Sequence, residues 1–243
     1  MEWQQWGARF TEVLALEQAP VAVTYTHTPP PGVTPARRRA CGALLQAAAG
    51  ATIDLTAETS ACGGGSEYLG LCQQSPEHAR VLHDFLINGE KLFSSLSALQ
   101  RSRALSVPPP FGLAEHVLFA PLEQAPLLPD VVVFACNPWQ AARLVGLCFY
   151  QDGAPMACDP TGSLCRSAIT YPLITGRVNI TFGDTTARRM ERIPEDRLFV
   201  TLPYPHLASA AASLDRSSAG TAPVEIPPAM RELMRRTGEP PEL

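Results

Sequence analysis

Val131-Val132-Val133-Phe134-Ala135 is the stretch of sequence from which the fold can be worked out. A run this apolar and this rich in β-formers predicts a strand buried on both faces, and such a strand belongs in the middle of a sheet. Asn137-Pro138 follows at once, and it predicts a helix reaching about Tyr150, because Asn caps helices well and proline is tolerated in a first turn. The region therefore predicts a central strand followed by a helix.

Outward from this unit, strands and helices alternate along the chain. Because their order is mixed, we expect an α/β or α+β fold with a mixed sheet flanked by helices. Apolar spacing and turn residues predict further strands at 21–25, 53–55, 117–120 and 178–182, and helices at 3–17, 41–49, 67–71, 76–104, 163–171, 205–213 and 228–236.

The domain organisation predicted is a single α/β domain over residues 1–215 and a C-terminal extension with a short helix over 216–243. Leu16-Glu17-Gln18-Ala19-Pro20 recurs identically at 122–126, and Ser60-Ala61-Cys62 resembles Ser163-Leu164-Cys165. A duplication would give pseudo-symmetric halves, 1–105 and 106–215, with Cys62 and Cys165 as equivalent residues. Coincidence in a chain rich in alanine and leucine is the alternative.

Composition excludes several classes of protein. Hydrophobic residues make up 46% and charged residues 17%, which excludes a disordered chain. No apolar run approaches the roughly 20 residues that span a bilayer, and the N-terminus lacks the pattern of a secretion signal. The net charge is −4 without a clustered basic stripe, which argues against nucleic acid as a partner. We expect a cytoplasmic protein with no membrane partner.

Cysteine is the residue type that points to chemistry. In a cytosolic chain we expect the cysteines to be reduced, and because no Cys-x-x-Cys pair occurs, a cysteine site must be assembled by the fold. The seven cysteines are Cys41, Cys62, Cys72, Cys136, Cys148, Cys158 and Cys165.

Cys62 stands out because Gly63-Gly64-Gly65 follows it. Glycines allow a close approach of ligand to backbone, and a cysteine at a helix start is favoured as the thiolate, the form that binds metal or attacks an electrophile. A flexible loop with a small buried residue is the alternative. Asn137 is a second candidate, because ligands bind where strands end and helices begin in open α/β sheets, although capping alone also explains it.

Other motifs that carry chemistry are missing from the sequence. The histidines lack the His-Glu-x-x-His spacing, and the nucleophile-elbow, phosphate-loop and dinucleotide glycine patterns do not occur.

The chain resembles the domain-of-unknown-function 169 family over most of residues 5–205. The resemblance rests on Pro20-Val21-Ala22-Val23, Cys41, Cys62-Gly63-Gly64 with Leu69-Gly70-Leu71, Pro129-Asp130-Val131-Val132, Asn137-Pro138 with Gln140-Ala141, and Cys165 before Ala168. It implies Cys41, Cys62 and Cys165 as site residues, with a further cysteine expected after the strand at 178–182. Gly183-Asp184-Thr185 occupies that place here, so Cys72 or Asp184 would have to substitute.

Three functions are compatible with these residues. The first is binding of a cysteine-ligated cofactor, most plausibly an iron–sulfur cluster held by Cys41, Cys62 and Cys165. The second is a small-molecule-binding or regulatory module without chemistry, in which the cysteines are small buried hydrophobes. The third is an enzyme with Cys62 as nucleophile and the amides of 63–65 as an oxyanion hole. A small molecule or a redox partner would be the partner; the oligomeric state leaves no trace in the sequence.

Overall fold

A six-stranded sheet forms the centre of the computed structural model, which describes residues 1–104, 108–154, 156–160 and 162–238. The strand order is β2-β3-β1-β4-β6-β5, and each pairing between these strands is antiparallel. Within the described ranges, parallel pairing is limited to two isolated bridges. The predicted α/β fold with a helix-flanked sheet is confirmed, but the prediction of a mixed sheet is wrong in that the strands pair antiparallel. The strands are β1 Val21–Thr26, β2 Ile53–Leu55, β3 His116–Pro121, β4 Val131–Cys136, β5 Asn179–Thr181 and β6 Leu198–Pro203.

The β4 strand is buried along its whole length, as its sequence predicts. It lies between β1 and β6, and its side chains alternate between two hydrophobic cores because successive residues of a strand point to opposite faces. Val131 and Val133 belong to one core, and Val132 and Phe134 belong to the other. The sheet therefore has a helical layer on each face.

The helices divide between these two layers. The helices α1, α6 and α9 cover the Phe134 face, whereas α2 and the segment 166–175 cover the Val133 face. The helices are α1 Glu2–Leu14, α2 Ala40–Ala48, α3 Gly63–Tyr68, α4 Pro76–Asp84, α5 Leu96–Ala104, α6 Pro138–Phe149, α7 Tyr171–Thr175, α8 Thr185–Met190, α9 Tyr204–Ser213 and α10 Pro228–Thr237; π-helical turns lie at Phe85–Gly89 and Arg166–Thr170 and a 3₁₀ turn at Leu122–Gln124.

Asn137 caps α6, as its position before Pro138 predicts. Its side-chain oxygen accepts a hydrogen bond from the Gln140 amide at 2.9 Å, and the Gln140 side chain accepts one from the Asn137 amide at 2.9 Å. Gln140 also donates to the carbonyl oxygen of Ala15 at 2.7 Å. This reciprocal capping box fixes the start of α6 against the end of α1.

The strand order has an internal regularity. Outward from the adjacent strands β1 and β4, one side of the sheet runs β1-β3-β2 and the other runs β4-β6-β5. In each group of three, the strand that comes first in the sequence lies at the centre of the sheet, the second lies at the edge, and the third lies between these two. In this arrangement α2 and α7, which each precede an edge strand, occupy equivalent places, and so do α3 and α8, which each follow one.

Two elements were not predicted from the sequence: β6, and α8 before it. The helix predicted at 67–71 starts earlier, directly after Cys62. The single domain 1–215 and its division into halves at residue 105 stay predictions. In the sheet, β3, which belongs to the predicted second half, lies between β1 and β2 of the predicted first half. The predicted extension contains α10, and residues 239–243 of it lie outside the described residues.

No helix in the described part of the chain is both long enough and apolar enough to cross a membrane. The cytoplasmic location stays a prediction.

Candidate functional site

Cys41, Cys62 and Cys165 line one cavity of about 660 Å³ on the Val133 face of the sheet. This volume is in the range of small-molecule and cofactor sites. The segment 76–104, which we call the insert, contributes a largely apolar wall. The apolar wall residues of the insert are Leu82, Phe85, Leu86, Leu92, Phe93 and Leu99.

Cys41 and Cys62 are brought together by backbone pairing of the segments that precede α2 and α3. The Arg38 amide donates to the Thr59 carbonyl at 3.2 Å, and the Ala61 amide donates to the Arg38 carbonyl at 2.8 Å. This pairing is one of the two parallel bridges of the fold. It places the first turn of α2, which carries Cys41, beside the start of α3.

Cys62 is the N-cap of α3. Its sulfur accepts a hydrogen bond from the Gly65 amide at 3.4 Å. Gly64 and Gly65 line the cavity, whereas Gly63 lies beside His78, whose Nε2 would be 3.2 Å from an added Cβ. None of the three has a positive φ, so no unusual backbone conformation requires glycine here.

Asp184 fixes the segment that carries Cys165. Its Oδ1 accepts from the Ala187 amide at 2.7 Å, which caps α8, and its Oδ2 accepts from the Leu164 amide at 2.8 Å. Asp184 also lines the cavity. In the strand order, Asp184 is equivalent to Cys62, because each caps the helix that follows an edge strand. Cys165 is equivalent to Cys41, because each lies at the start of the helical segment that precedes an edge strand. The sequence match predicts instead that Cys165 is equivalent to Cys62.

Glu191 is a site residue that the sequence did not reveal. The Cys41 thiol donates to its Oε1 at 3.5 Å. Both carboxylate oxygens would be 3.3 Å from a Cβ added to Gly42, so the small residue at 42 lets the carboxylate reach the start of α2. Glu191 is far from Cys41 in the sequence, and no spacing pattern could have connected them.

Electrostatic coupling links the three sulfurs. Burial raises the pKa of Cys41 to about 12, and negative charges on Cys165 and Glu191 add to this. Burial also raises the pKa of Cys165 to about 12, although part of its surface faces the cavity, and a negative charge on Cys62 adds to it. Cys41 and Cys165 are therefore thiols at neutral pH.

The remaining predicted residues lie elsewhere. Asn137 is absent from the cavity wall, and its side chain serves the capping box of α6 on the other layer. Cys72 is also absent from the wall. Cys136 and Cys148 are buried in the Phe134 core, and Cys158 is exposed. Of the predicted set, the structure places Cys41, Cys62, Cys165 and Gly64 in the wall of one cavity, and Gly63 outside it.

These features define an α/β protein with a cysteine-lined cavity on one face of an antiparallel sheet. Residues 9–213 match the profile of the DUF169 family, described as uncharacterised ArCR, and the chain belongs to this family. The resemblance inferred from the sequence is thereby confirmed. The chain is 25% identical over 167 residues to the uncharacterized protein MJ0308 of Methanocaldococcus jannaschii, an alignment that covers 66% of this chain and 68% of that protein. No solved structure matches the chain.

Proposed function

We propose that the protein binds a cysteine-ligated cofactor, an iron–sulfur cluster in the first instance, with Cys41, Cys62 and Cys165 as ligands. One observation carries the proposal: three cysteines from distant parts of the chain line the same cavity. Thiolates are the protein ligands of such clusters.

A single metal ion and a cluster place different demands on their ligands. In the described ranges, no three His, Cys, Asp or Glu side chains converge closely enough to hold one ion. In a four-iron cluster each thiolate binds a different iron, so the sulfurs of such a site stand further apart than those around one ion. Three thiolates would leave one iron of a four-iron cluster for an oxygen ligand or a substrate. Asp184, which lines the cavity, and Glu191, which contacts Cys41, are near enough to be considered.

Cofactor binding should depend on pH. The pKa of Cys41 and that of Cys165 are both raised to about 12, so each thiol must lose its proton before it can bind a metal. Binding therefore releases protons and strengthens as the pH rises. Each proton released contributes about a tenfold gain in affinity per pH unit below the thiol pKa.

The experiment is anaerobic purification followed by reconstitution with ferrous iron and sulfide. Iron and sulfide content and the visible absorption spectrum are measured for the wild type and for Cys41→Ser, Cys62→Ser and Cys165→Ser. The matched control is Cys158→Ser, because Cys158 is exposed and absent from the cavity wall. The proposal requires a brown chromophore that each of the three variants loses and the control keeps. Colourless, iron-free wild type after full reconstitution would refute it.

A second candidate function is binding of a small molecule without chemistry. The size of the cavity and its apolar wall from the insert favour it. In that case Cys→Ser variants at 41, 62 and 165 should keep any thermal stabilisation by the ligand, whereas a cofactor site would lose its cofactor. The Cys62 nucleophile and a redox partner stay predictions.

A further inference from the structure

The first part of the insert is packed loosely against the rest of the molecule. Residues 76–89, which comprise α4 and the π-helical turn after it, bury none of their side chains. Yet Leu82, Phe85 and Leu86 line the cavity, and Phe85 is 51% exposed. These apolar side chains therefore border an open cavity and not a packed core. We call residues 76–89 the lid.

The helix α5, at the other end of the insert, is anchored to the rest of the molecule. Leu99 is 2% exposed, and the carbonyl and hydroxyl oxygens of Ser102 accept hydrogen bonds from Arg166 Nη1, each at 3.2 Å. Arg103 Nη2 donates to Glu67 in α3. A segment with few buried apolar contacts opens at a lower cost in free energy than one that is anchored in this way. The lid should therefore open while α5 stays in place.

The lid lies against the glycine run of α3. A Cβ added to Gly63 would be 3.2 Å from His78 Nε2, and one added to Gly64 would be 4.0 Å from Leu82 Cδ2. Glycine at these two positions therefore lets α4 approach the backbone of α3. Because Gly63 directly follows Cys62, the lid lies beside the cysteine that caps α3.

Among the described residues, one side-chain hydrogen bond joins the lid to another helix. Arg103 Nη1 and His83 Nε2 are 2.9 Å apart, and because a guanidinium only donates, the histidine nitrogen is the acceptor. Arg103 belongs to the anchored helix α5, so this bond holds the lid in the closed position. Its loss should raise the population of the open lid about threefold to tenfold, the range that one net hydrogen bond gives.

We propose that residues 76–89 are a lid over the cysteine-lined cavity, which moves away from the glycine run to admit a ligand and closes over it with its apolar side chains. The helix α5 is the fixed base of this movement, and the bond between His83 and Arg103 is the latch. The proposal concerns access to the cavity and goes beyond the cofactor function, since a lid serves any ligand that the cavity takes. Its test needs no cofactor, so its failure and the failure of the cofactor proposal are separate results.

Two measurements on the cofactor-free, full-length protein test the lid. The first is amide hydrogen exchange followed by mass spectrometry, and the second is the rate at which fluorescein maleimide, a bulky thiol reagent, labels Cys62. In the wild type we expect the hydrogen-bonded amides of the lid to exchange together and faster than those of α5. Equal protection of the lid and of α5 would overturn the proposal.

His83→Ala removes the latch. Exchange of the lid amides and labelling of Cys62 should both become about threefold to tenfold faster, and by the same factor, because both pass through the same opening. Labelling of Cys158, which is exposed and absent from the cavity wall, should keep its rate. His27→Ala is the matched control, because His27 is 63% exposed and also absent from the cavity wall; it should change neither measurement.

Two results with a folded His83→Ala protein contradict the proposal. Faster exchange without faster labelling of Cys62 would show that the segment opens but does not close the cavity. Unchanged exchange would show that the bond to Arg103 is not a latch. If this variant does not fold, the comparison of the lid with α5 in the wild type decides alone.

Discussion

Removing the Asp184 carboxylate should both destabilise the protein and free the Cys165 segment. In Asp184→Ala two hydrogen bonds are lost, one from the Ala187 amide at 2.7 Å and one from the Leu164 amide at 2.8 Å. The cap of α8 contributes about 1 kcal/mol, and a hydrogen bond to a charged acceptor about 1.5–3 kcal/mol. We therefore expect the free energy of unfolding to fall by about 2.5–4 kcal/mol.

Asp184→Asn separates the two bonds. Asn is as good a cap as Asp, so its oxygen can still accept from the Ala187 amide. Its NH₂ group then faces the Leu164 amide, and two donors meet without an acceptor. The loss should be smaller than in Asp184→Ala but should fall entirely on the segment before Cys165.

Urea unfolding of the wild type and the variants measures these losses, and amide hydrogen exchange at Leu164 reports the local effect. Ser75→Ala is the control for a cap alone, since Ser75 caps α4 by accepting from the His78 amide at 3.2 Å. It should cost about 1 kcal/mol. If Asp184→Ala costs no more than Ser75→Ala, or if Leu164 keeps its protection, Asp184 does not hold the Cys165 segment.

Three further predictions follow from burial and packing. Burial raises the pKa of the Cys148 thiol from 9.0 to about 12. The stability that comes from keeping this thiol protonated is therefore complete below pH 9.0 and is lost as the pH rises towards 12. Cys148→Ala should reduce the fall of the unfolding free energy with pH in this range, measured by urea titration, by up to ~1.4 kcal/mol per pH unit. Gly7→Ala should lower the melting temperature although alanine has the better helix propensity, because the new Cβ would lie 2.7 Å from the Glu123 backbone nitrogen and overpacking costs about 1–3 kcal/mol. A higher melting temperature would show that α1 can shift to make room for the methyl group. Iodoacetamide labelling followed by mass spectrometry should modify the exposed Cys158 first; labelling of Cys62 ahead of Cys158 would favour the nucleophile hypothesis instead.

Local sequence was sufficient for the elements whose signal lies within them. The apolar run of β4 predicts its burial, and Asn137 before Pro138 predicts the cap of α6. The helix α8 spans only Thr185–Met190, less than two turns, so it has too little periodicity to be recognised. The β6 strand, in contrast, has an apolar sequence of the kind that favours a strand, although it was not among the predicted strands.

The site could be predicted only as a set of separate residues. The pairing of Arg38 with Ser60 and the contact of Cys41 with Glu191 join parts of the chain that no local pattern relates. The family resemblance supplied the three cysteines, but the cavity and the insert that forms part of its wall depend on tertiary packing. For Asn137 the sequence allowed both a ligand site and a helix cap, and the structure shows the cap, outside the cavity wall.

The strand order explains why an aspartate can stand where a cysteine is expected. Cys62 and Asp184 each accept a hydrogen bond from the third amide of the helix that they cap, Gly65 in one case and Ala187 in the other. The capping part of the role therefore survives the change from sulfur to oxygen. The role of a cluster ligand is not kept equally well, because a carboxylate is a harder donor than a thiolate and binds the iron of a cluster less tightly. A cluster held here would have three sulfur corners and a fourth corner that is open or held by an oxygen.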